Sequence, residues 1–201
     1  MASALDALPH WRVSVAKGRT IYVEGEPSST LYRVERGCVR LLVHGADGAR
    51  QIIGFQFPGQ LFGYCLDKRN TSAEAVTDVE LTAFPISAVT ECGAHNQKAA
   101  IELLDTANAV VQRLAHLLKG VSNLPAEARV MWFLETLSRE PEIGDGRMPP
   151  TIRLPMTYGD VAAYLNLTPQ TLSRVFRHLE ANRSIQRAGN RVFVVGERAP
   201  A

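Results

Sequence analysis

The sequence is short of the features that mark several classes of protein. It has three cysteines, Cys38, Cys65 and Cys92, which are odd in number, far apart and without a Cys-x-x-Cys pair. Neither a disulfide framework nor a thiolate zinc site is therefore predicted. The plain role of each is small apolar packing, with a redox-sensing thiol as the alternative. Its five histidines are scattered, with no His-x-x-x-His pair and no His/carboxylate constellation, so no metal ligand set is predicted. No apolar run reaches the ~18 residues that a membrane-spanning helix needs. The first twenty residues carry Trp11, Arg12, Lys17 and Arg19 where a secretion signal would have an unbroken apolar core. The expectation is a cytoplasmic protein with no membrane partner. No local motif pairs a nucleophile with a base, which argues against an enzyme.

What is present is enough for a substantial core: 201 residues, 46% of them apolar, have room for one large domain or two small ones. The formal net charge is only +2, but it is unevenly divided. From Ile152 onward seven arginines (Arg153, Arg174, Arg177, Arg183, Arg187, Arg191 and Arg198) face three acids (Asp160, Glu180 and Glu197), a balance of +4 that leaves the rest of the chain at −2. A cationic surface on the C-terminal part is where a polyanion would dock.

From Arg19 to about Pro85 the pattern is one of short strands broken by Gly25, Gly37, Gly45, Gly48 and Gly59, as in a compact all-β sandwich or barrel. "HGADGAR" has the composition of a hairpin tip. After Pro85 the texture changes. Asn96 to Lys119 contains neither proline nor glycine, and Leu104, Ala107, Val111, Leu114 and Leu118 fall at spacings of three and four, an a/d stripe on one helix about 35 Å long that Gly120 ends. Ile101, Leu103, Val110 and Leu117 supply a second apolar face. One face packs on the β domain and the other is free for a partner helix, so the stripe is predicted to be a homodimer seam; the alternative is a core helix of a monomer. "NLPAEARVMWFLETLSRE" then starts another helix near Pro125, with Val130, Phe133, Leu134 and Leu137 on one face.

The C-terminal stretch carries the chemistry. Thr157 and Asp160 fit a capping box, which predicts a helix from Tyr158 to about Leu165. Asn166 tolerates the left-handed backbone of a tight turn. Thr168 then caps a second helix with Pro169 in its first turn. On that helix Leu172, Val175, Phe176 and Leu179 gather on one side, and Gln170, Ser173, Arg174 and Arg177 on the other. A helix fits the major groove of DNA, and only long polar side chains near its leading end reach base edges. Gln170, Ser173 and Arg174 are the predicted base readers, with Arg174 able to fork onto guanine and Gln170 onto adenine. "IQRAGNRVFVV" suits a hairpin wing turning at Gly189 and Asn190. Thr157, Thr168, Thr171, Arg177, Arg187, Asn190 and Arg191 are the predicted contacts to the DNA backbone. The alternative is a structural helical hairpin with a solvated basic face.

Taken together, a β-rich half with "PGQLFG", a long helix and "DVAAYLNLTPQTLSRVFRHLE" followed by a wing resembles the CRP/FNR family of bacterial transcription regulators over nearly the whole chain, and the wording is most similar to the FNR and FixK branches. The resemblance implies an α+β protein: an N-terminal β-roll of the cyclic-nucleotide-binding jelly-roll type over residues 1–93, a dimerisation helix over 94–121 and a winged helix-turn-helix over 122–201. It implies a homodimer on a palindromic double-stranded DNA operator, in contact with RNA polymerase, with activation the commoner family outcome. Those branches commonly have glutamate where this chain has Gln170. A carboxylate accepts from cytosine N4, whereas an amide suits adenine, so a half-site altered at that base pair is expected.

The same resemblance places a candidate effector pocket at Gly59, Gln60, Leu61, Thr71 and Ser72. Cyclic-AMP receptors of the family pair a glutamate after the glycine with an arginine-serine further on. Here Gln60 follows Gly59, and Asn70, Thr71 and Ser72 lie at the arginine-serine position, with Arg69 out of register by a slip that turns a side chain to the other face. Iron–sulfur members hold their cluster through N-terminal cysteines, and this chain has none before Cys38. The expectation is a regulator dependent on neither cyclic AMP nor an iron–sulfur cluster, without a cofactor; haem and an unidentified small effector stay open. The competing reading is a ligand-binding module of the cyclic-nucleotide type whose C-terminal helices contact proteins.

Overall fold

The computed structural model describes residues 4–45, 50–65, 67–141, 143–146 and 149–195, with side chains throughout except at 102, 109, 113 and 116–123. The chain divides into two compact units, Met1–Ala115 and His116–Ala201.

The first unit begins with a short 3-10 turn, Ala4–Ala7, and then runs through β1 (Trp11–Val15), β2 (Thr20–Tyr22), β3 (Thr30–Arg36), β4 (Val39–His44), β5 (Arg50–Gln56), β6 (Leu61–Phe62), β7 (Ser72–Ala75) and β8 (Val79–Pro85). These form two antiparallel four-stranded sheets with strand orders β1-β8-β3-β6 and β2-β7-β4-β5. The non-sequential order is that of a β-roll. Tyr22, Val34, Val39, Phe62, Ala73, Ala75, Val79 and Leu81 come from both sheets and make one buried cluster between them. A second cluster, Leu5, Leu31, Leu61, Phe84 and Val89, lies on the opposite face of the first sheet. Neighbouring residues on a strand point to opposite faces, which is why Phe62 joins the first cluster and Leu61 the second. The antiparallel register of β4 and β5 runs to His44 opposite Arg50; the tip residues 46–49 of the expected hairpin lie outside the described residues.

Two short elements extend the sequence reading. β1 precedes Arg19 and pairs along its length with β8. α1 (Ile86–His95) is a separate helix that ends at Asn96, whose backbone is extended. The long helix, α2, spans Gln97–Asn123, about 40 Å. It passes through Gly120 instead of stopping there, because an internal glycine costs a helix only about 1 kcal/mol. The stop comes at Pro125, which disfavours helical backbone in the residue before it. On α2, Leu103 packs against the second cluster of the β-roll. Leu104 and Val111 are 68% and 60% exposed, and Ala107 and Leu114 are exposed as well. Ile101, expected on the buried face, stands out in solvent with them. The side chain of Leu118 lies outside the described residues.

The second unit is built on α3 (Ala126–Leu137), β9 (Thr151–Arg153), α4 (Tyr158–Tyr164), α5 (Pro169–Ala181), β10 (Ile185–Gly189) and β11 (Val192–Val195). Val130, Phe133, Leu134 and Leu137 of α3 are buried. The wing is a three-stranded antiparallel sheet of order β10-β11-β9, one strand more than the hairpin foreseen. β9 was hidden in a Pro/Gly-rich stretch too short to show alternation. The wing turns at Asn190 and Arg191, one residue later than expected, and the positive φ falls on Arg191.

Candidate nucleic-acid interface

The geometry of the C-terminal unit starts from two caps. Thr157 accepts from the Asp160 N–H at 3.1 Å while the Asp160 carboxylate accepts from the Thr157 N–H at 3.0 Å, a reciprocal box that starts α4. At the far end Asn166 takes φ +52°, and the Leu167 N–H reaches back to the Ala162 carbonyl at 2.9 Å. The Thr168 hydroxyl oxygen then accepts from the Thr171 N–H at 3.1 Å, and Pro169 fills the first turn of α5. Leu172, Val175, Phe176 and Leu179 bury the inner face of α5, with Phe176 stacked on Phe193 of the wing at 5.0 Å between ring centroids.

The outer face is left to polar side chains. Gln170, Ser173, Arg174 and Arg177 are all exposed and, with Pro169, line an open concavity along the leading half of α5. Arg177 donates to the Ser173 carbonyl at 3.4 Å, and no carboxylate is paired with Arg174 among the described residues. The three predicted base readers are thus brought to one surface.

The predicted backbone contacts are more divided. Thr157 and Thr168 are exposed but use their hydroxyls as caps, and the Thr171 hydroxyl lies 2.9 Å from that of Thr168. Asn190 is exposed at the tip of the wing. Arg187 and Arg191 are occupied inside the unit. Arg187 donates to Glu180 at 3.0 Å and to the Tyr158 hydroxyl at 3.1 Å, and lies over the Phe193 ring. Burial works to lower its pKa, but the bonds to Glu180 and Tyr158 outweigh it and hold the guanidinium above its ordinary value. Arg191 donates to the Met156 carbonyl at 2.9 Å. Tyr158 and Glu180 were not singled out from sequence, since no periodicity links residues on α4, α5 and β10. Arg153 and Arg183, which no sequence motif marks beyond the charge balance, are exposed on the same unit.

Residues 12–96 match the cyclic nucleotide-binding domain and residues 128–199 the Crp-like helix-turn-helix domain. The nitrogen fixation regulation protein FixK of Rhizobium meliloti (strain 1021) is 34% identical over 165 residues, which cover 81% of this chain and 72% of that one. The chain belongs to the CRP/FNR family. It is a transcription regulator with a helix-turn-helix DNA-binding domain, not an enzyme. The transcriptional activator protein FnrA of Stutzerimonas stutzeri is 24% identical over 195 residues, 96% of this chain and 80% of that protein. Among solved structures, FixK2 from Bradyrhizobium japonicum superposes with a TM-score of 0.87 at 27% identity, covering 96% of this chain and all of the other.

Gly59 has φ +83° in the turn before β6. The Gln60 side chain accepts from the Phe57 N–H at 3.2 Å, Leu61 belongs to the second apolar cluster, Thr71 is 3.4 Å from the Tyr22 hydroxyl, and the buried Ser72 hydroxyl accepts from the Glu24 N–H at 2.9 Å. Arg69, out of register by the strand pattern, is a buried cation of this unit. Its guanidinium lies 4.3 Å from the Tyr22 ring centroid and 5.7 Å from that of Tyr32, and donates to the Thr30 carbonyl at 2.7 Å. Gly63 has φ +84°, and a Cβ there would stand 2.6 Å from Arg69 Nη1, so glycine both makes the turn and admits the guanidinium. Cys38 is buried, while Cys65 and Cys92 are half-buried, and all three are free thiols. Among the described residues no group of three or more His, Cys, Asp or Glu side chains could hold a metal ion, and no helix is long and apolar enough to cross a membrane.

Proposed function

We propose that this CRP/FNR chain acts in the cytoplasm as a homodimer that binds a palindromic duplex operator and, through contact with RNA polymerase, raises transcription. The observation that carries the reading is the row of Gln170, Ser173, Arg174 and Arg177 along the outer face of α5, exposed together in the stretch from Ile152 onward, whose charge balance is +4. Gln170, Ser173 and Arg174 read base edges. Arg177 and Asn190, with the threonines at the two helix starts, hold the phosphate backbone, while Arg187 and Arg191 brace the wing that carries Asn190. The exposed stripe of Leu104, Ala107, Val111 and Leu114 on α2 is the dimer seam, because an apolar stripe of this spacing is stable only when covered. Residues 1–93, 94–121 and 122–201 serve as sensor-type domain, dimerisation helix and DNA-binding domain. Two recognition helices then enter successive major grooves one DNA turn, ~34 Å, apart. The name of the FnrA relative, a transcriptional activator protein, supports activation as the outcome.

The regulator works without cyclic AMP and without an iron–sulfur cluster. Gln60 follows Gly59 where cyclic-AMP receptors of the family have a glutamate, and its side chain accepts from the Phe57 N–H, which supports independence from cyclic AMP. Gln170 sets the half-site: an amide prefers adenine at the base pair where a glutamate would take cytosine.

The test is fluorescence anisotropy of the purified chain on palindromic duplexes enriched from random sequence, across a salt series. Saturable binding whose affinity falls steeply and log-linearly with salt is expected. Weak binding indifferent to sequence would leave the C-terminal helices as a protein-contact surface instead.

A further inference from the structure

We propose that Arg129, on the first turn of α3, is a positioning residue for DNA recognition: it ties the turn between α4 and α5 to the joint that follows α2, and so sets the angle at which α5 presents its reading face. The proposal rests on the DNA-binding reading above. Arg129 touches none of Gln170, Ser173 or Arg174. Its Nε donates to the carbonyl of Leu124 at 2.8 Å, and Leu124 directly follows α2. Its Nη1 donates to the carbonyls of Leu165 at 3.3 Å and Asn166 at 3.5 Å, which close α4 and make the turn.

The last carbonyls of a helix lack partners within it and carry its negative end, so a cation that donates to them stabilises the turn twice over. Here the turn also contains the strained link, Asn166 at φ +52°. Two residues later Thr168 caps α5, so the carbonyls that Arg129 holds fix the point from which α5 departs. The same turn of α3 meets the other end of α5 as well: Glu127 and His178 approach to 2.8 Å. Glu127 and Arg129, two residues apart, grip the recognition helix at its end and at its origin. The planar guanidinium divides these bonds between two nitrogens, Nε and Nη1, whereas a lysine ammonium must donate from a single nitrogen and does not match both groups of carbonyls.

This arrangement separates two kinds of binding. Hydrogen bonds to base edges need donor–acceptor distances within a few tenths of an ångström, whereas attraction to phosphate falls off slowly with distance. Loosening the α4–α5 turn therefore costs sequence-specific binding and spares non-specific binding. A residue that merely touched phosphate would do the reverse and lower the salt dependence.

The experiment uses the full chain and its Arg129→Gln and Arg129→Lys variants on two duplexes, a palindrome enriched from random sequence by the unmodified protein and a scrambled version of it. For Arg129→Gln, affinity for the palindrome is expected to fall about tenfold, the scale of a charge-assisted hydrogen bond, with less than about a twofold change on the scrambled duplex and an unchanged salt slope. Arg129→Lys should lie between. Equal losses on both duplexes, or an operator affinity within about twofold of the unmodified chain, overturn the proposal. So does loss of the folded state in both variants, since the residue would then be a stabilising contact only. A second readout needs no DNA: exchange of the Leu167 amide with solvent deuterium should quicken at least about tenfold in Arg129→Gln while the Val175 and Phe176 amides hold, and an unchanged Leu167 rate overturns the proposal. If the unmodified chain fails to discriminate between the duplexes, the DNA-binding reading fails, and the exchange rate still decides the role of Arg129 in the turn.

Discussion

In the β-roll, Arg33 donates to Asp6 and Glu35, Arg40 and Arg50 converge on Glu74, and Arg69 lies buried over two tyrosine rings. On α5, Arg174 and Arg177 stand in solvent with no carboxylate opposite them among the described residues. One residue type is used for two ends, and the neighbours make the difference. A guanidinium whose donors are spent inside a domain contributes to that domain's stability. One held exposed on a capped helix is worth little to the fold and is available to a polyanion. The C-terminal unit contains both kinds: Arg187 and Arg191 brace the wing, so a count of positive charges overstates how many of them face outward.

The comparison breaks most visibly if an outward arginine proves structural. Replacing Arg174 with alanine is expected to leave the thermal midpoint unchanged and to lower operator affinity by about a hundredfold, because a bidentate arginine–guanine pair is worth ~1–3 kcal/mol and the proposed dimer would lose two. Anisotropy titration and calorimetry read the two effects separately. Arg33→Ala is the mirror experiment, with a lower midpoint and unaltered DNA affinity. Should the phenotypes exchange, the division between inward and outward arginines fails. A finer effect is expected at Gln170. Gln170→Glu should move the preferred base at one position of each half-site by about tenfold, the lower part of the range for one bidentate contact; selection from random duplexes checks it, and recovery of the same operator by both proteins would show that this side chain reads nothing.

The C-terminal unit was the more legible in sequence because its signals are local. Thr157 with Asp160, Asn166, and Thr168 before Pro169 each specify backbone within a few residues, and the cap bonds and the positive φ occur at those positions. The α2 stripe was readable for the same reason. What escaped depends on contacts between separate elements: the edge strand β1 against β8, β9 against the wing, and the pairing of Arg187 with Glu180 and Tyr158. Arg69 escaped most completely. Strand register suggests which way its side chain faces, but the turn residues around it are not in regular strand, and Gly63, in the turn just before them, makes room for the guanidinium.

Arg69 also sharpens the comparison, because two of its nitrogens, Nε and Nη1, are buried without a hydrogen-bond acceptor among the described residues. A buried cation with unmet donors is costly, and exchange of such a group for an apolar one of similar length is often neutral or stabilising. Arg69→Met is accordingly expected to hold or raise the thermal midpoint, whereas Arg33→Ala lowers it. A fall of several degrees for Arg69→Met would show that the stacking over Tyr22 and the bond to Thr30 outweigh the unmet donors, and the inward arginines would then form a single class.

The smallest effect concerns acid. Burial works to raise the Glu35 carboxyl, but the Thr82 hydroxyl at 2.6 Å, the Arg33 guanidinium at 2.8 Å and the charge of Arg12 outweigh it and hold the pKa below the ordinary glutamate range. A carboxylate whose folded pKa is depressed adds stability that is fully present above its unfolded pKa and disappears as pH falls through the folded one. Between those limits the unfolded chain binds the proton that the folded chain refuses, so unfolding is favoured as acid is added. The Glu35→Gln variant removes that term. Its midpoint should lie below that of the unmodified chain at neutral pH, where the Arg33 pair is intact, and the gap should narrow as pH drops through the carboxylate range. Because the Arg33 and Glu35 side chains are 20% and 26% exposed, solvent screens the pair in part, and the gap is expected to be a few degrees at most. Parallel curves at every pH would mean that Glu35 contributes through its shape and hydrogen bonds alone. The ion pair with Arg33 would then carry no share of the stability assigned to the inward-facing arginines.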